Sequence, residues 1–470
     1  LDRLMARVLH TSLVAPSPAG TALHERSLPL TYLDALWLHA PPVERVFFYA
    51  DATGDQVLSN LKDSLSQALR AFYPLAGRLR LTPGTPNRYE LHYQPGDGVA
   101  FAIAEYHHAG FDELATDDPT EVAKILPLVP ALPAGGALLS LQATVLRGGL
   151  ALGVTVHHAA CDGVSSTHLL RTWAWAAAAR AGESAPEQPV IDRTLIRDRQ
   201  DLYDAFTAPP PRPPSGDDDG GKPLVGIVSP DVQQLLATFT LSKDLLQRIK
   251  DAVAREAERR GVPPPRSTSI VAAFGFVWHC HVRAKQAGGA SQAADASSGG
   301  NRRAYLLFPA DHRARLDPPV PDKYLGNCVG PCFVSAPGQE VAAAGAHGLF
   351  TACAAIADSI DVVVRGGPGY WDGVMERIIE VFSAAELPLT VAGSPRFRVY
   401  DVDFGFGRPV KVDVVSVART GAVSVAEAHR GGGGGGGVEV GISLPAEGME
   451  RFRKCFADAM ACLLSSARCD

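Results

Sequence analysis

The chain has no long uninterrupted hydrophobic run and no large net charge. Membrane-spanning helices need about 20 consecutive apolar residues, and no stretch of the sequence reaches that length. The 44 basic and 50 acidic side chains are dispersed along the chain and give a net charge of −6. The sequence therefore predicts neither a membrane-spanning protein nor one that binds nucleic acid.

The cysteine pattern of disulfide-rich and zinc-binding proteins is also missing. Eight cysteines are spread over 470 residues without a CxxC pair. Cys328 and Cys332 are spaced like a pair of metal ligands, but no second pair follows to complete a tetrahedral site. We therefore expect reduced thiols in a cytoplasmic protein, and no metal site.

Strand and helix patterns alternate along the chain without internal repeats. Because 470 residues exceed the size at which one core keeps growing, we expect two α/β domains. Helical periodicity is clear over residues 55–72 and again over residues 446–466. Residues 183–223 are rich in Pro, Asp and Gly, a composition that cannot bury a core. The sequence thus predicts an N-terminal domain (1–182), a surface crossover loop (183–223) and a C-terminal domain (224–470).

A histidine-containing turn is the most informative segment. It reads HHAACDG and spans residues 157–163. It follows a hairpin pattern, in which two apolar stretches flank Arg147-Gly148-Gly149. It precedes a helix pattern that Ser165 or Ser166 is expected to cap. Gly163 is expected to adopt a backbone angle that other residues resist.

His158 in this turn is a candidate general base. The unperturbed pKa of histidine is about 6.5, so a neutral imidazole is available near pH 7 to take a proton from a hydroxyl or an amine. Paired histidines at the end of a strand are also common as hydrogen-bonded interior residues, and that alternative stays open. Metal binding by His157, His158 and Asp162 is disfavoured, because neighbouring residues on a strand point to opposite faces.

A second motif, YDVDFGFGRP, spans residues 400–409. Together with HxxxDG, LPLTYLD at residues 28–34 and FYPLAGRL at residues 72–79, it resembles the BAHD acyltransferases of plants over nearly the whole chain. The resemblance implies two chloramphenicol-acetyltransferase-like domains, each a mixed β-sheet with helices, joined by the crossover loop. It also implies an acyl-CoA-dependent acyltransferase that acts as a monomer on small molecules, without a permanently bound cofactor. His158 would lie in a tunnel open to both substrates.

The resemblance assigns structural roles to most motif residues. In the family, the aspartate of HxxxD points away from the substrate and pairs with an arginine. It therefore implies a structural role for Asp162 and Gly163, with Arg313 or Arg315 as the partner of the aspartate. The DFGFG segment is implied to be structural as well, through Asp403, Gly405 and Gly407. Phe406 stands where the family more commonly has tryptophan, a change that keeps the aromatic bulk.

Several side chains are candidates for holding the substrates. Ser267 and Thr268 begin a predicted helix, where hydroxyl groups and N–H groups suit the phosphates of CoA. Ser394 and Arg396 belong to a loop that resembles one lining the family's tunnel. The substrate-binding candidates are Thr31, Asp34 and Arg171. Asp34 has the alternative role of a helix cap, and Arg171 or Arg396 would hold the carboxylate of a malonyl donor.

The donor and the acceptor are implied by two shorter segments. YLGNC at residues 324–328 and GSPRF at residues 393–397 are similar to the flavonoid- and anthocyanin-acylating branch, in which malonyl transfer is frequent. The resemblance thus implies transfer of malonyl from malonyl-CoA to a sugar hydroxyl of a flavonoid, anthocyanin or other phenolic glucoside. Three alternatives stay open: hydroxycinnamoyl or acetyl transfer, a condensation-type enzyme that uses a carrier-protein thioester, and a silent relative that binds flavonoids or CoA.

Overall fold

The protein is described by a computed structural model over residues 5–178, 184–208, 233–289, 302–384, 387–429 and 436–465. Two compact units divide the chain. The first comprises Leu1–Ile227, Asp311–Val329 and Arg396–Thr420, and the second Val228–Ala310, Gly330–Pro395 and Gly421–Asp470. The predicted boundaries at residues 182 and 223 stay a prediction. The sequence did not predict that two later segments, Asp311–Val329 and Arg396–Thr420, belong to the first unit.

The strands of the described residues follow one another as β1 (Arg7–Val14), β2 (Arg26–Pro29), β3 (Val43–Ala50), β4 (Arg78–Leu81), β5 (Tyr89–Tyr93), β6 (Val99–Glu105), β7 (Thr120–Glu121), β8 (Leu139–Leu146), β9 (Gly149–Val156), β10 (Gln234–Leu241), β11 (Arg303–Asp311), β12 (Val329–Pro337), β13 (Leu389–Gly393), β14 (Lys411–Val414), β15 (Val423–Glu427) and β16 (Val438–Pro445). The α-helices are α1 (Tyr32–Ala35), α2 (Asp55–Ala71), α3 (Phe111–Leu114), α4 (Val122–Ile125), α5 (Gly163–Ala177), α6 (Gln200–Thr207), α7 (Lys243–Arg260), α8 (Ser269–Ala287), α9 (Gly338–Ala342), α10 (Ala346–Gly366), α11 (Val374–Phe382), α12 (Val417–Thr420) and α13 (Ala446–Leu464).

The first unit is built on a six-stranded mixed sheet. Its strand order is β1-β6-β8-β9-β3-β14, in which β6 and β8 are parallel and the other neighbours antiparallel. The pairing of β14 with β3 explains why a segment from late in the chain belongs to this unit. Strands β2, β5 and β4 form a separate three-stranded sheet. The predicted hairpin is present as β8 and β9, with Arg147 and Gly148 as its two-residue loop.

The second unit is also a mixed sheet with helices. Its strands follow the order β12-β11-β13-β15-β16-β10, with β11, β13 and β15 parallel and β15, β16 and β10 antiparallel. Helices α7, α8, α10 and α13 pack on one another. Ser242 caps α7 through its side chain, and Gly261 ends it in the left-handed conformation that favours glycine. The predicted α/β architecture is thus confirmed in both units.

One helix, α10, is long and apolar enough to cross a membrane by length and composition alone. However, 56% of its most apolar window is buried inside the protein. It packs against α7 and α8 in the second unit. Core helices of this kind meet the same length and hydropathy criteria, so the helix is weak evidence for a membrane span.

The predicted crossover loop is only partly a loop. Its residues from 209 onward lie outside the described residues. The same holds for most of the predicted Ala/Gly/Ser insertion and for most of the glycine run at 431–437. Within 184–208, however, α6 buries Leu202, Tyr203 and Phe206, and Arg193 is buried as well. The expectation of a segment without core residues is therefore wrong for this part. Helix α6 is short and amphipathic, and the Pro-, Asp- and Gly-rich composition around it does not indicate a helix.

Trp173 on α5 anchors the helix that follows the histidine turn. The side chain is fully buried, and its indole N–H donates to the Leu61 carbonyl of α2 at 2.9 Å, with Ser64 Oγ at 3.1 Å. Trp175 on the same helix is half-buried, and its indole N–H has no partner among the described residues. The two tryptophans thus form a matched pair that differs in hydrogen bonding.

We expect Trp173→Phe to lower the free energy of unfolding by about 2 kcal/mol, because it removes a buried hydrogen bond and leaves a small cavity. Trp175→Phe removes an indole N–H that bonds to no described residue and should change the stability by less than about 0.5 kcal/mol. Urea denaturation followed by circular dichroism measures both values. Equal destabilisation by the two variants would contradict the role assigned to the Trp173 hydrogen bond.

Candidate active site

The histidine turn begins one residue after β9 ends. The His157 N–H donates to the Leu138 carbonyl at 2.8 Å, which continues the sheet bonding past Val156. His157 Nδ1 then accepts the Ala159 N–H at 3.2 Å and so caps a single 3₁₀ turn, His158–Ala160. His158 therefore lies in the turn after the strand rather than at the strand's last position.

The imidazole of His158 stacks on the indole of Trp37. The ring centroids are 3.9 Å apart and the planes are 7° from parallel. Burial lowers the pKa of His158 to about 4, and interactions with its own main chain and with Asp162 offset only part of this effect. The ring is consequently neutral over the physiological pH range. Nδ1 is buried without a hydrogen-bond partner among the described residues.

The main chain of His158 is held by Asn327. The Asn327 side-chain amide donates to the His158 carbonyl at 3.0 Å and to Asp34 Oδ1 at 3.0 Å. The Asn327 main-chain N–H donates to the same Asp34 oxygen at 2.9 Å. Asp34 and Asn327, 293 residues apart in the chain, thus fix the backbone of the turn.

Asp34 is too buried to contact a substrate. It has no exposed surface, and it forms a capping box with Thr31 at the start of α1, where Oδ2 accepts the Thr31 N–H and hydroxyl at 3.0 and 2.8 Å. The buried guanidinium of Arg193 lies 3.5 Å from the same oxygen and donates to the Tyr324 hydroxyl at 2.8 Å. Of the two roles that the sequence left open for Asp34, the structure supports the helix cap. Thr31 is half-buried and is the N-cap residue.

Asp162 caps α5 and pairs with a buried arginine. Its Oδ1 accepts the Ser165 N–H at 3.0 Å, so Asp162, and neither Ser165 nor Ser166, is the N-cap. Its Oδ2 lies 2.9 Å from Arg313 Nη1, and both side chains are almost completely buried. Arg313 is thus the partner, whereas Arg315 is exposed. The Cys328 N–H also donates to Asp162 Oδ2 at 3.0 Å.

Gly163 is required for space and not for its backbone angle. It is absent from the positive-φ glycines. A Cβ atom at this position would lie 2.4 Å from the ring of Phe397, so no larger residue fits without displacing that ring. The expectation of an unusual backbone angle at Gly163 is therefore wrong, and close packing against a distant segment is the reason for the glycine.

Arg171 on α5 is engaged by the protein itself. Its guanidinium donates to the carbonyls of Phe397 and Arg398 at 2.9 and 3.3 Å and lies 4.0 Å from the Asp401 carboxylate. This arrangement ties α5 to the loop that follows residue 395. A role in binding the donor carboxylate would require Arg171 to give up these contacts.

The DFGFG segment is a turn and not a strand. Asp403 Oδ1 accepts the N–H groups of Gly405 and Gly407 at 2.8 and 3.0 Å, and both glycines have positive φ. Phe404 packs edge-on against Trp173 at 4.7 Å between centroids. The segment thus closes on itself and packs against α5, which accords with the structural role that the resemblance implied.

The four residues predicted to hold CoA lie in different parts of the chain. Thr268 is the N-cap of α8 and accepts the Val271 N–H at 3.3 Å, whereas Ser267 donates to the Pro265 carbonyl at 3.2 Å. Ser394 belongs to the second unit and Arg396 to the first. Ser394 is half-buried and Arg396 is exposed. No contact with CoA is described for these residues, and their role stays a prediction.

Neither thiol chemistry nor metal chemistry is supported at the turn. Burial raises the pKa of the Cys161 thiol to about 12, so it is protonated near pH 7. Within the described ranges, no group of three His, Cys, Asp or Glu side chains could hold a metal ion. Six described cysteines form no disulfide, but Cys462 is disulfide-bonded, so the expectation of eight reduced thiols is wrong at that position.

The residues that hold the turn through distant contacts are not among those that the sequence predicts. Asn327 lies in the YLGNC segment, which was used only as a sign of the donor. Trp37 and Arg193 stand in no motif. In the sequence, Asn327 is marked only as an amide next to Cys328, and Arg193 only as an arginine in a segment rich in Pro, Asp and Gly. Neither feature is specific.

A family model described as the Transferase family matches residues 6–459. Phenolic glucoside malonyltransferase 1 of Arabidopsis thaliana is 31% identical, over 94% of this chain and 95% of its own length. A coumaroyl-CoA:anthocyanidin 3-O-glucoside-6''-O-coumaroyltransferase of the same plant is 27% identical, over 95% of both chains. A BAHD acyltransferase of that plant is 30% identical, over 91% of this chain and 93% of its length.

Solved structures share the fold. Vinorine synthase superposes with a TM-score of 0.68 at 19% identity, covering 97% of this chain and 98% of its own. F. graminearum TRI101 complexed with ethyl coenzyme A gives a TM-score of 0.58 at 15% identity, covering 92% and 97%. At these identities the likeness establishes the architecture alone.

Arg313→Gln should lower the free energy of unfolding by about 3 kcal/mol or more, because it leaves the Asp162 carboxylate buried without its counterion. Arg315→Gln, at an exposed position two residues later, is the matched control and should change the stability by less than about 0.5 kcal/mol. Chemical denaturation at pH 7 measures the difference. Similar stabilities for the two variants would show that the buried ion pair does not hold the turn.

Proposed function

Because the chain belongs to the Transferase family of BAHD acyltransferases, we propose that it transfers malonyl from malonyl-CoA to a sugar hydroxyl of a phenolic glucoside. The acceptor class includes flavonoid and anthocyanin glucosides. The protein is an acyltransferase, and acyl-CoA is its co-substrate. In this proposal His158 is the general base and the acyl group passes directly between the two substrates.

The neutral, fixed imidazole of His158 is the observation that carries the proposal. Burial lowers its pKa to about 4, so the ring is free to accept a proton near pH 7. Trp37 covers one face of the ring, and Asn327 holds its main-chain carbonyl. These two contacts keep the ring in a constant position, which proton transfer in a transition state requires, and in this proposal Nε2 is the nitrogen that takes the proton.

The proposed reaction needs one proton acceptor and no covalent intermediate. Nε2 takes the proton of the sugar hydroxyl as its oxygen attacks the thioester carbonyl. The tetrahedral intermediate then expels the CoA sulfur, and the imidazolium returns the proton to that thiolate. The products are the malonyl ester and free CoA. The protonated thiol of Cys161, which is only 3% exposed, is unsuited to an acyl-enzyme route.

Malonyl is favoured as the donor because the relative at 31% identity is named as a phenolic glucoside malonyltransferase. The relative at 27% identity is named for coumaroyl transfer to an anthocyanidin glucoside, so hydroxycinnamoyl transfer is the second candidate. Both names share a glucoside acceptor.

Product mass spectrometry with a panel of phenolic glucosides and malonyl-, acetyl- and coumaroyl-CoA tests the proposal. We expect malonyl esters with the wild-type protein and, because general-base catalysis contributes typically 10²–10⁴-fold, a loss of that size in His158→Ala. His157→Asn keeps an acceptor for the Ala159 N–H and serves as the control that retains activity.

Each other outcome has a distinct meaning. Coumaroyl products without malonyl products would overturn the donor assignment alone. Bound ligand with no transfer by the wild-type protein would identify a silent relative. Transfer that requires a carrier protein would favour a condensation-type enzyme. Unchanged turnover in His158→Ala, with its circular dichroism spectrum intact, would remove His158 from the mechanism.

The pH dependence of kcat/KM follows from the lowered pKa of His158. The neutral base is present above its pKa, so we expect kcat/KM to stay level from about pH 8 to about pH 5 and to fall near pH 4. Trp37→Leu admits water to the ring and should move this acid limb upward, toward the unperturbed value of about 6.5. A wild-type limb already centred near pH 6.5 would contradict the burial of the ring.

A further inference from the structure

Arg45 is a buried cation whose side chain has no partner among the described residues. It lies on β3 and is only 8% exposed. Its Nη1 is out of contact with solvent and has no hydrogen-bond partner, and its side chain forms no hydrogen bond or ion pair with any residue that the structure describes. Burial also lowers its pKa, with Cys161 as the electrostatic neighbour.

The sheet leaves Arg45 among apolar neighbours. Its cross-strand partners are Val154 on β9 and Val414 on β14, and neither offers a polar atom beyond its backbone. The adjacent Glu44 points to the opposite face of the strand, where its carboxylate pairs with Arg419 at 2.7 Å. The nearest acidic residue in sequence is thus already neutralised and faces away.

An unpaired buried guanidinium costs several kcal/mol of stability unless a ligand or water satisfies it. The two other arginines that are buried among the described residues, Arg193 and Arg313, are paired with Asp34 and Asp162. Arg45 is therefore the one of these three arginines that lacks a paired carboxylate among the described residues. Because burying an unpaired guanidinium lowers stability, folding alone does not explain its presence.

The position of Arg45 connects it with the reacting atoms. Val43, two residues earlier on β3, pairs with Val156, the last residue of β9, and the His158 turn follows directly. Arg45 itself pairs with Val154, four residues before His158, so β3 lies beside the strand that leads into this turn. In a malonyl thioester only one methylene separates the free carboxylate from the carbonyl carbon under attack. A cation that holds the carboxylate must therefore lie close to the general base.

We propose that Arg45 binds the free carboxylate of a dicarboxylic acyl-CoA donor and so selects malonyl over neutral acyl groups. The inference rests on the proposed function and adds the residue that sets its donor class. A guanidinium matches a carboxylate through two parallel N–H···O bonds, and such pairs are strong where water is excluded. Arg171, one of the two candidates from the sequence, donates to main-chain carbonyls instead.

The test compares malonyl-CoA with acetyl-CoA, which lacks only the carboxylate, on the same glucoside acceptor. Arg45→Met keeps the length of the side chain and removes its charge. We expect kcat/KM for malonyl-CoA to fall by about 100-fold while that for acetyl-CoA stays within about threefold. Arg45→Lys should retain part of the preference. Arg365→Met, which removes an exposed charge from α10, is the control and should change neither value.

Thermal unfolding separates binding from a structural role. Because Arg45 pairs with no described residue, Arg45→Met should leave the melting temperature unchanged or raise it. Equal losses for both donors, or a lowered melting temperature, would overturn the assignment of Arg45 and leave malonyl transfer standing. A wild-type protein that accepts acetyl-CoA or coumaroyl-CoA but not malonyl-CoA would overturn the donor proposal itself, and the wild-type panel alone reveals that result.

Discussion

The buried ion pair between Asp162 and Arg313 is the interaction on which the candidate site depends. It joins the histidine turn to a segment about 150 residues later, and the Cys328 N–H adds a further bond to the same carboxylate. Two charges so deeply buried are tolerated only while they remain paired. Any shift of the turn that separated them would therefore carry a large energetic cost, and this cost fixes where α5 begins and where His158 stands.

This arrangement separates the support of the turn from the chemistry of the ring. Asp162 does not orient the imidazole, as the aspartate of a catalytic triad would. The ring is instead held by Trp37 on one face, and the backbone by Asn327. The charge of Asp162 offsets only part of the effect of burial on the pKa of the ring, so the desolvated imidazole stays neutral near pH 7. Such a base suits a reaction in which the proton is returned within the same turnover.

Local patterns predicted the periodic elements well. Helix α2 and the hairpin of β8 and β9 formed where apolar spacing and the Arg147-Gly148 turn indicated. Resemblance to a family, and not spacing, supplied the structural role of Asp162. Neither kind of reasoning found Asn327 or Arg193, because their partners lie far away in the chain and leave no local pattern. Gly163 shows the same limit, since its reason is the ring of Phe397, 234 residues later.

Among the three buried arginines, the presence or absence of a paired aspartate distinguishes those that stabilise the fold from the one proposed to bind a substrate. Arg193 and Arg313 each face an aspartate that the chain itself supplies, so their charges are compensated whether or not a substrate is bound. Arg45 has valines on both neighbouring strands and no such compensation from the described residues. If all three arginines served stability alone, we would expect each of them to be paired with an acidic residue of the chain. The uncompensated charge on the strand beside β9, which leads to the general base, therefore argues for a ligand that brings its own anion, and a dicarboxylic acyl group carries one.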